Sequence, residues 1–274
     1  MPEVSSSIAA AGAVGATGEA ASTDRPLAGR RAVVSGAATG IGAAAVASFL
    51  AAGAEVVGLF HTTPPPDDLQ EQCAWVACDA RSRTSVDTAF NRATSILGGL
   101  DVLLHAAGVW RPSTPQTLSD DELDLVLDAN LRTTILTNQA AFERMRDTGG
   151  QIVNLGSSEG VRGNPMAPHY AAAKAGVHAW TRSAAAAWGR FGITVNALAP
   201  AVSTPGADRL WAHLGPEGAA ALKEHLRATM PLRGELGDPR TDLGPVMVFL
   251  ASTGARFMTG QLIAVNGGLQ MLGA

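Results

Sequence analysis

The sequence predicts an α/β fold: a doubly wound parallel sheet of the Rossmann type, with about seven strands flanked by helices. Short apolar runs of strand length alternate along the chain with alanine-rich stretches that are long enough for helices. Strands that are buried on both faces and separated by helices are typical of parallel sheets, and right-handed crossovers place those helices on both faces. We expect a single domain over residues 27–274, after a flexible tail over residues 1–26 that is rich in alanine, glycine, serine and threonine.

Each element is predicted from its own run of residues, in chain order. The strands are expected at 32–35, 56–60, 75–78, 102–105, 152–155, 194–198 and 262–265. The helices are expected in the alanine-rich stretches 41–52, 83–97, 119–146, 169–190 and 240–251. The segment 200–230 is expected to be largely irregular, and it follows the sixth strand, where the fold has room for a substrate lid.

Charge and cysteine content exclude several classes of function. The formal net charge is −4 and no long basic run is present, so we expect no nucleic-acid partner. The sequence shows no apolar run of about 18 residues and no secretory leader, so we expect no membrane association. Cys73 and Cys78 are the only cysteines, and their spacing fits neither a zinc site nor a disulfide framework. We therefore expect a cytoplasmic protein with reduced cysteines and no metal.

A glycine-rich turn, SGAATGIG at residues 35–42, lies between the first predicted strand and the first predicted helix. Its G-x-x-x-G-x-G spacing leaves backbone N–H groups bare at the positive end of a helix, where a pyrophosphate can bind. A tight βα turn without a ligand is the alternative, but the position between strand and helix favours phosphate binding. The expected cofactor contacts in this turn are Gly36, Thr39, Gly40, Ile41 and Gly42.

Further cofactor contacts are expected where later strands end at the same edge of the sheet. Asp79, followed by Ala80, ends the third predicted strand, where a carboxylate can accept a hydrogen bond from an adenine amino group. An ordinary turn or helix-capping aspartate is the alternative. Ala107 and Gly108 end the fourth strand, and a glycine there lets the backbone pass close to the adenosine half of a ligand.

The only tyrosine of the chain, Tyr170, lies four residues before Lys174, one of only two lysines. On a helix this spacing places both side chains on one face, about 6 Å apart along the axis. A nearby ammonium stabilises a phenolate and lowers its pKa toward neutrality, whereas a solvated surface pair is the alternative. Ser157 ends the fifth strand, where it can bond a substrate oxygen or merely cap a turn. Asn130 is an amide in mid-helix, which is unfavourable by propensity and indicates another use.

In these motifs the sequence resembles the short-chain dehydrogenase/reductase family, over roughly residues 27–271. The resemblance rests on SGAATGIG, Asp79, HAAG, Asn130, Ser157, Tyr170-x-x-x-Lys174 and the NALAP segment followed by Thr204. It implies a nicotinamide cofactor and hydride transfer between that cofactor and a carbonyl or secondary alcohol. It also implies that Tyr170 is the general acid/base and that Ser157 positions the reacting oxygen. Lys174 would bind the nicotinamide ribose and lower the pKa of Tyr170, and Asn130 would hold a water of the proton relay.

Three positions depart from the family pattern. His105 stands in HAAG where the family carries asparagine, Ala201 follows Pro200 where glycine is usual, and Asn266 replaces an aspartate. The loop from Pro200 to Thr204 touches the nicotinamide carboxamide in the family, so both of its end residues are expected at the cofactor. None of these departures removes a catalytic group.

The choice of nicotinamide cofactor depends on the end of the second strand. NAD-dependent members carry an acidic residue there for the ribose hydroxyls, whereas this chain has Phe60 and then His61. The missing carboxylate removes repulsion of a 2′-phosphate, and His61 can donate to one. The sequence therefore favours NADP over NAD, and a neutral loop that accepts either cofactor is the alternative.

The substrate is expected to be a small carbonyl or alcohol compound that contacts Trp110, Arg162, His169 and Trp211. Other residues expected at the substrate mouth are Arg111, Glu159, Val161 and His213. Arginine and histidine suit a carboxylate or polyol, as in sugar-acid dehydrogenases, whereas the tryptophans suit a flat, apolar ketone. Alternatives to a ketone reductase or alcohol dehydrogenase are a 3-oxoacyl thioester reductase and a non-catalytic nucleotide-binding regulator. The resemblance also implies a homotetramer, or a dimer, formed through helices 119–146 and 169–190 and the last strand.

Overall fold

The computed structural model describes residues 25–271 of the chain. Within that range, seven strands form one parallel sheet in the order β3-β2-β1-β4-β5-β6-β7. The strands are β1 (Arg31–Ser35), β2 (Glu55–Phe60), β3 (Ala74–Ala77), β4 (Val102–His105), β5 (Gly150–Leu155), β6 (Ile193–Pro200) and β7 (Leu262–Val265). The predicted doubly wound sheet is confirmed. The predicted tail over residues 1–26 lies outside the described residues except for Arg25 and Pro26.

The helices connect the strands and cover both faces of the sheet. They are α1 (Gly40–Ala51), α2 (Arg83–Leu97), α3 (Asp120–Leu127), α4 (Thr133–Met145), α5 (Glu159–Arg162), α6 (Pro168–Trp188), α7 (Pro205–Thr229) and α8 (Gly244–Ala251). Residues of α1 and α8 belong to one hydrophobic core, and residues of α2, α4 and α6 belong to the other. Along β1, Ala32 and Val34 contribute to the first core and Val33 to the second, as the alternation of side chains in a strand requires.

The sheet order places a ligand-binding crevice at the carboxyl ends of β1 and β4. Strands β1 and β4 are neighbours, and the chain proceeds in opposite directions across the sheet on either side of them. In doubly wound sheets such a switch point opens a crevice at the carboxyl ends of the strands, where ligands bind. The glycine-rich turn after β1 and the Gly108 segment after β4 both lie there.

The helices differ from the predictions at four places. The helix predicted at 240–251 begins only at Gly244. The predicted helix 119–146 is divided by a π-helical turn, Asp128–Arg132. The short helix α5 was not predicted. The segment 200–230 was predicted to be irregular and is mostly the helix α7, which Thr204 caps by accepting a hydrogen bond from the Ala207 N–H at 3.2 Å. Gly215 has a non-helical conformation inside α7, and the glycine and proline there conceal the helical pattern in the sequence. Among the described residues, no helix is long and apolar enough to cross a membrane.

Candidate active site

The glycine-rich turn brings the end of β1 against the end of β4. Gly36 has φ +63°, and a Cβ there would lie 2.6 Å from the Ala107 backbone nitrogen, so only glycine fits. Thr39 is the N-cap residue of α1, and its side chain makes no capping hydrogen bond. The first N–H groups of α1 consequently remain available to an anion such as a pyrophosphate.

A cavity of about 490 Å³ extends from this turn across the carboxyl ends of the strands. It brings together residues predicted to bind a cofactor, to catalyse and to bind substrate. The predicted residues that line it are Gly36, Thr39, Gly40, Ile41, His61, Ala107, Gly108, Trp110, Asn130, Ser157, Tyr170, Lys174, Pro200 and Thr204. A nicotinamide dinucleotide is an elongated ligand, and both the glycine-rich turn and the Tyr170–Lys174 pair line this one cavity.

The remaining predicted residues do not line this cavity. Gly42 packs against the carbonyl of Gly36 inside the turn. Arg162 is exposed at the end of α5, and His169 is buried near the start of α6 with no hydrogen-bond partner for either ring nitrogen. Trp211 lines a separate groove of about 360 Å³ along α7, together with Arg227.

Asp79, followed by Ala80, also lies outside the cavity lining. The Asp79 carboxylate accepts hydrogen bonds from the Arg81 side chain at 3.0 and 3.1 Å, and these bonds hold its pKa below the usual range. His61 Nε2 lies 3.9 Å from the same carboxylate. Asp79 therefore already has a cationic partner, which the sequence did not indicate.

Ser157, Tyr170 and Lys174 meet where β5 ends and α6 begins. The Lys174 ammonium donates a hydrogen bond of 2.7 Å to the carbonyl of Leu155 and lies 5.5 Å from the centre of the Tyr170 ring. Burial lowers the pKa of Lys174 to about 8. The Ser157 hydroxyl accepts a hydrogen bond from the Glu159 N–H at 3.1 Å. The predicted helical pairing of Tyr170 with Lys174 agrees with this geometry.

The pKa of Tyr170 departs from the sequence-based expectation. Burial raises that pKa above its ordinary value, the negative charge of Glu159 raises it further, and the Ser157 hydroxyl lowers it in part. The expectation was a lowering caused by Lys174. In this structure the phenol therefore remains protonated at neutral pH.

Asn130 lies in the π-helical turn, a feature that often marks functional sites in helices. Its Nδ2 donates hydrogen bonds to the carbonyls of Val109 (2.8 Å) and Val126 (2.9 Å). Its Oδ1 is buried without a partner, and a Cβ at Gly108 would lie 2.7 Å from this oxygen and 3.8 Å from Lys174 Nζ. An unsatisfied buried acceptor is costly, so this oxygen marks a place for a donor from a ligand or water.

Sequence reasoning missed two residues of the site, Arg209 and His178. Arg209 lines the cavity from the start of α7. Glu159, expected at the substrate mouth, lines the cavity two residues after Ser157, whereas Arg111, Val161 and His213 do not line it. His178 lies two helical turns after Tyr170, and its Nε2 accepts a hydrogen bond from the Ser157 N–H at 3.2 Å. Burial lowers the pKa of His178 to about 4, which keeps the imidazole neutral and able to accept. The four-residue spacing of Tyr170, Lys174 and His178 was the available signal for this last residue.

Comparison with known proteins agrees with this geometry. The family model described as "Enoyl-(Acyl carrier protein) reductase" matches residues 36–270. The chain is 34% identical over 249 residues to the short-chain reductase protein NovJ of Streptomyces niveus, covering 86% of this chain and 92% of that protein. It is 31% identical over 255 residues to the 3-oxoacyl-[acyl-carrier-protein] reductase FabG of Vibrio cholerae, covering 90% and 99%.

A solved structure from Sinorhizobium meliloti 1021, assigned to the short-chain alcohol dehydrogenases, superposes with a TM-score of 0.81. It is 30% identical, and the match covers 90% of this chain and 98% of that one. The chain belongs to the short-chain dehydrogenase/reductase family. It is accordingly an oxidoreductase that uses a nicotinamide cofactor and acts on CH–OH or C=O groups of small molecules, as the resemblance implied.

Proposed function

We propose that this enzyme reduces a ketone, or oxidises the corresponding secondary alcohol, with Ser157, Tyr170, Lys174 and Asn130 as its catalytic residues. The observation that carries the proposal is that these four side chains line one cavity together with the glycine-rich turn. A non-catalytic regulator would have no need for all four groups at the end of a cofactor cleft.

A nicotinamide dinucleotide fits the residues that are present. The glycine-rich turn would hold the pyrophosphate, and the partnerless oxygen of Asn130 together with Lys174 would face the nicotinamide ribose or a water beside it. Pro200 and Thr204 would lie at the nicotinamide. When bound, the cofactor supplies or accepts the hydride.

The chain's own residues orient the substrate and move the proton. Ser157 would donate a hydrogen bond to the reacting oxygen and fix its position beside the Tyr170 hydroxyl. In reduction Tyr170 would donate its proton to that oxygen, because the phenol is protonated at neutral pH and the alkoxide formed by hydride transfer is a stronger base than a phenolate. In oxidation the phenolate of Tyr170 would accept the proton, and the Lys174 ammonium, 5.5 Å from the centre of the Tyr170 ring, would stabilise that phenolate. Asn130 would hold the water through which Tyr170 is reprotonated.

We propose that the enzyme prefers NADP to NAD. Phe60, His61, Thr62 and Thr63 line the cavity at the end of β2, and no carboxylate from the loop after β2 lines it to repel a 2′-phosphate. The nearby carboxylate of Asp79 is paired with Arg81, which offsets its charge.

The remaining proposals concern substrate contacts and assembly. Of the four predicted substrate contacts we retain Trp110, because it lines the cavity.

We propose a single domain over residues 27–274, with the start of α7 as a lid. We also propose a cytoplasmic location, consistent with the free thiols of Cys73 and Cys78. Finally, we propose a homotetramer, supported by the exposed Phe249 and Phe257 in the part of the chain that leads into the edge strand β7.

Steady-state kinetics with a ketone panel test the proposed function. NADPH oxidation should depend on the ketone and should fall by about 100-fold or more in Ser157→Ala, because the reacting oxygen loses its positioning donor. An acetoacetyl thioester belongs in the panel, since the similarity to FabG favours thioester reduction as a second candidate. Full activity in Ser157→Ala would contradict the proposal.

A further inference from the structure

Glu159 is the only acidic residue that lines the cavity within residues 25–271. Its backbone N–H donates to the Ser157 hydroxyl at 3.1 Å, so Glu159 lies beside the group that is proposed to bind the reacting oxygen. Trp110, the retained substrate contact, lines the same cavity and lies close enough to the carboxylate to contribute to lowering its pKa. A substrate whose carbonyl binds Ser157 and Tyr170 therefore shares this cavity with the Glu159 carboxylate.

The Glu159 side chain is held in place by the packing of α5 against α6. A Cβ at Gly160 would lie 2.7 Å from the Ala175 nitrogen, so α5 rests directly on the α6 backbone. The side-chain amide of Asn164 donates to Glu159 Oε2 at 2.8 Å. The carboxylate is thus anchored at the cleft and is not free to swing into solvent.

The Glu159 carboxylate lies near the reacting groups and forms no salt bridge with another described residue. Burial raises its pKa, and the hydrogen bond from Asn164 and the charges of Arg162 and Lys174 lower that pKa in part. Arg162 of the same short helix is exposed and does not line the cavity. Of the cations that do line it, the Lys174 ammonium is bonded to the Leu155 carbonyl, and Arg209 projects beside Gly206 on α7. The charge of Glu159 raises the pKa of Tyr170, so its field reaches the reacting phenol.

We propose that Glu159 selects substrates by charge. It favours carbonyl or alcohol compounds that are neutral or cationic and carry a hydrogen-bond donor near the reacting carbon, and it disfavours those with a carboxylate there. A fixed carboxylate accepts hydrogen bonds from hydroxyl, amide or ammonium groups and repels another carboxylate across a cleft of low dielectric constant. This inference rests on the proposed function, and it is opposite in sign to the carboxylate binding expected from Arg162 and His169.

A matched pair of probes tests the charge selection. Acetoacetamide and acetoacetate differ in charge near the reacting carbonyl and little in size. The ratio of kcat/KM for the amide to that for the acid should be at least about tenfold in the wild type, because like charges a few ångströms apart in a cleft of reduced dielectric constant repel each other by about that factor or more. Glu159→Gln should lower this ratio about tenfold or more, mainly by raising activity with acetoacetate. Glu55→Gln removes the same charge at an exposed site on the opposite edge of the sheet and should leave the ratio unchanged.

A second readout needs no turnover. Tyr170 is the only tyrosine of the chain, so the ultraviolet absorption of phenolate reports its ionisation alone. In Glu159→Gln the phenolate should appear at lower pH than in the wild type or in Glu55→Gln. An unchanged amide-to-acid ratio, or a Tyr170 titration that does not move in Glu159→Gln, would overturn the inference. If the enzyme reduced neither acetoacetamide nor acetoacetate, that result would contradict the proposed ketone reduction. The Tyr170 titration would still show whether the charge of Glu159 reaches the phenol.

Discussion

Acid should destabilise this enzyme through a histidine at the centre of the sheet. His105 ends β4 with 1% of its surface exposed. Its Nδ1 lies 2.7 Å from the Ser35 hydroxyl and 3.0 Å from that of Thr137, and its Nε2 lies 3.2 Å from that of Thr133. Burial, with a smaller contribution from the charge of Lys174, lowers the pKa of His105 to about 3.

The magnitude follows from the linkage between protonation and folding. The folded protein keeps His105 neutral, whereas the unfolded chain binds a proton with a pKa near 6.5, so the unfolded state gains as the pH falls. The stability contributed by neutral His105 is present above pH 6.5 and is lost progressively as the pH falls toward 3. Between pH 7.5 and pH 5 this loss is about 2 kcal/mol for the one residue.

The test is urea unfolding of the wild type and of His105→Asn at both pH values. Asparagine, which the family pattern carries at this position, retains a donor and an acceptor for the three hydroxyls and does not titrate. The free energy of unfolding of the variant should therefore fall by about 2 kcal/mol less than that of the wild type. The contribution of His178 is common to both proteins and cancels. Equal losses in the two proteins would refute the assignment of this acid sensitivity to His105.

Two further predictions concern His178 and His61. Replacing His178 by leucine removes the acceptor for the Ser157 N–H, so the proposed positioning residue Ser157 is held less firmly and kcat should fall about tenfold or more. His178→Gln retains an acceptor near the position of Nε2 and should recover most of that loss. Equal kcat values in the two variants would exclude this hydrogen bond as the cause. His61→Asp places a carboxylate where a 2′-phosphate would bind, so the kcat/KM ratio of NADP to NAD should fall at least about tenfold. An unchanged ratio would remove His61 from cofactor discrimination.

Most of the sheet could be predicted because each strand is a short apolar run between helix-forming stretches. The strands at 102–105 and 262–265 agree with the structure to the residue, and the others differ by one or two residues at their ends. The sheet order then places the ends of β1, β4 and β5 at one edge, which is why residues far apart in sequence line the same cavity.

The parts that could not be predicted depend on local backbone geometry and tertiary packing. The π-helical turn that turns Asn130 toward Gly108 has no distinct pattern in the sequence. The interruption at Gly215 concealed α7, so the direction of Trp211 away from the cavity was not foreseeable. Glu159 and Arg162 are neighbours in sequence, and only the packing of α5 on α6 distinguishes the residue that lines the cavity from the one that faces solvent.

The central claim is that Tyr170 transfers the proton, and the variant Tyr170→Phe tests it most directly. This change removes one hydroxyl and leaves the ring and the glycine-rich turn in place. With a ketone that the wild type reduces, kcat should fall by about 10²- to 10⁴-fold, the usual contribution of a general acid. The dissociation constant of the cofactor should remain within a few-fold of the wild-type value. A variant that retains kcat near the wild-type value would contradict the account.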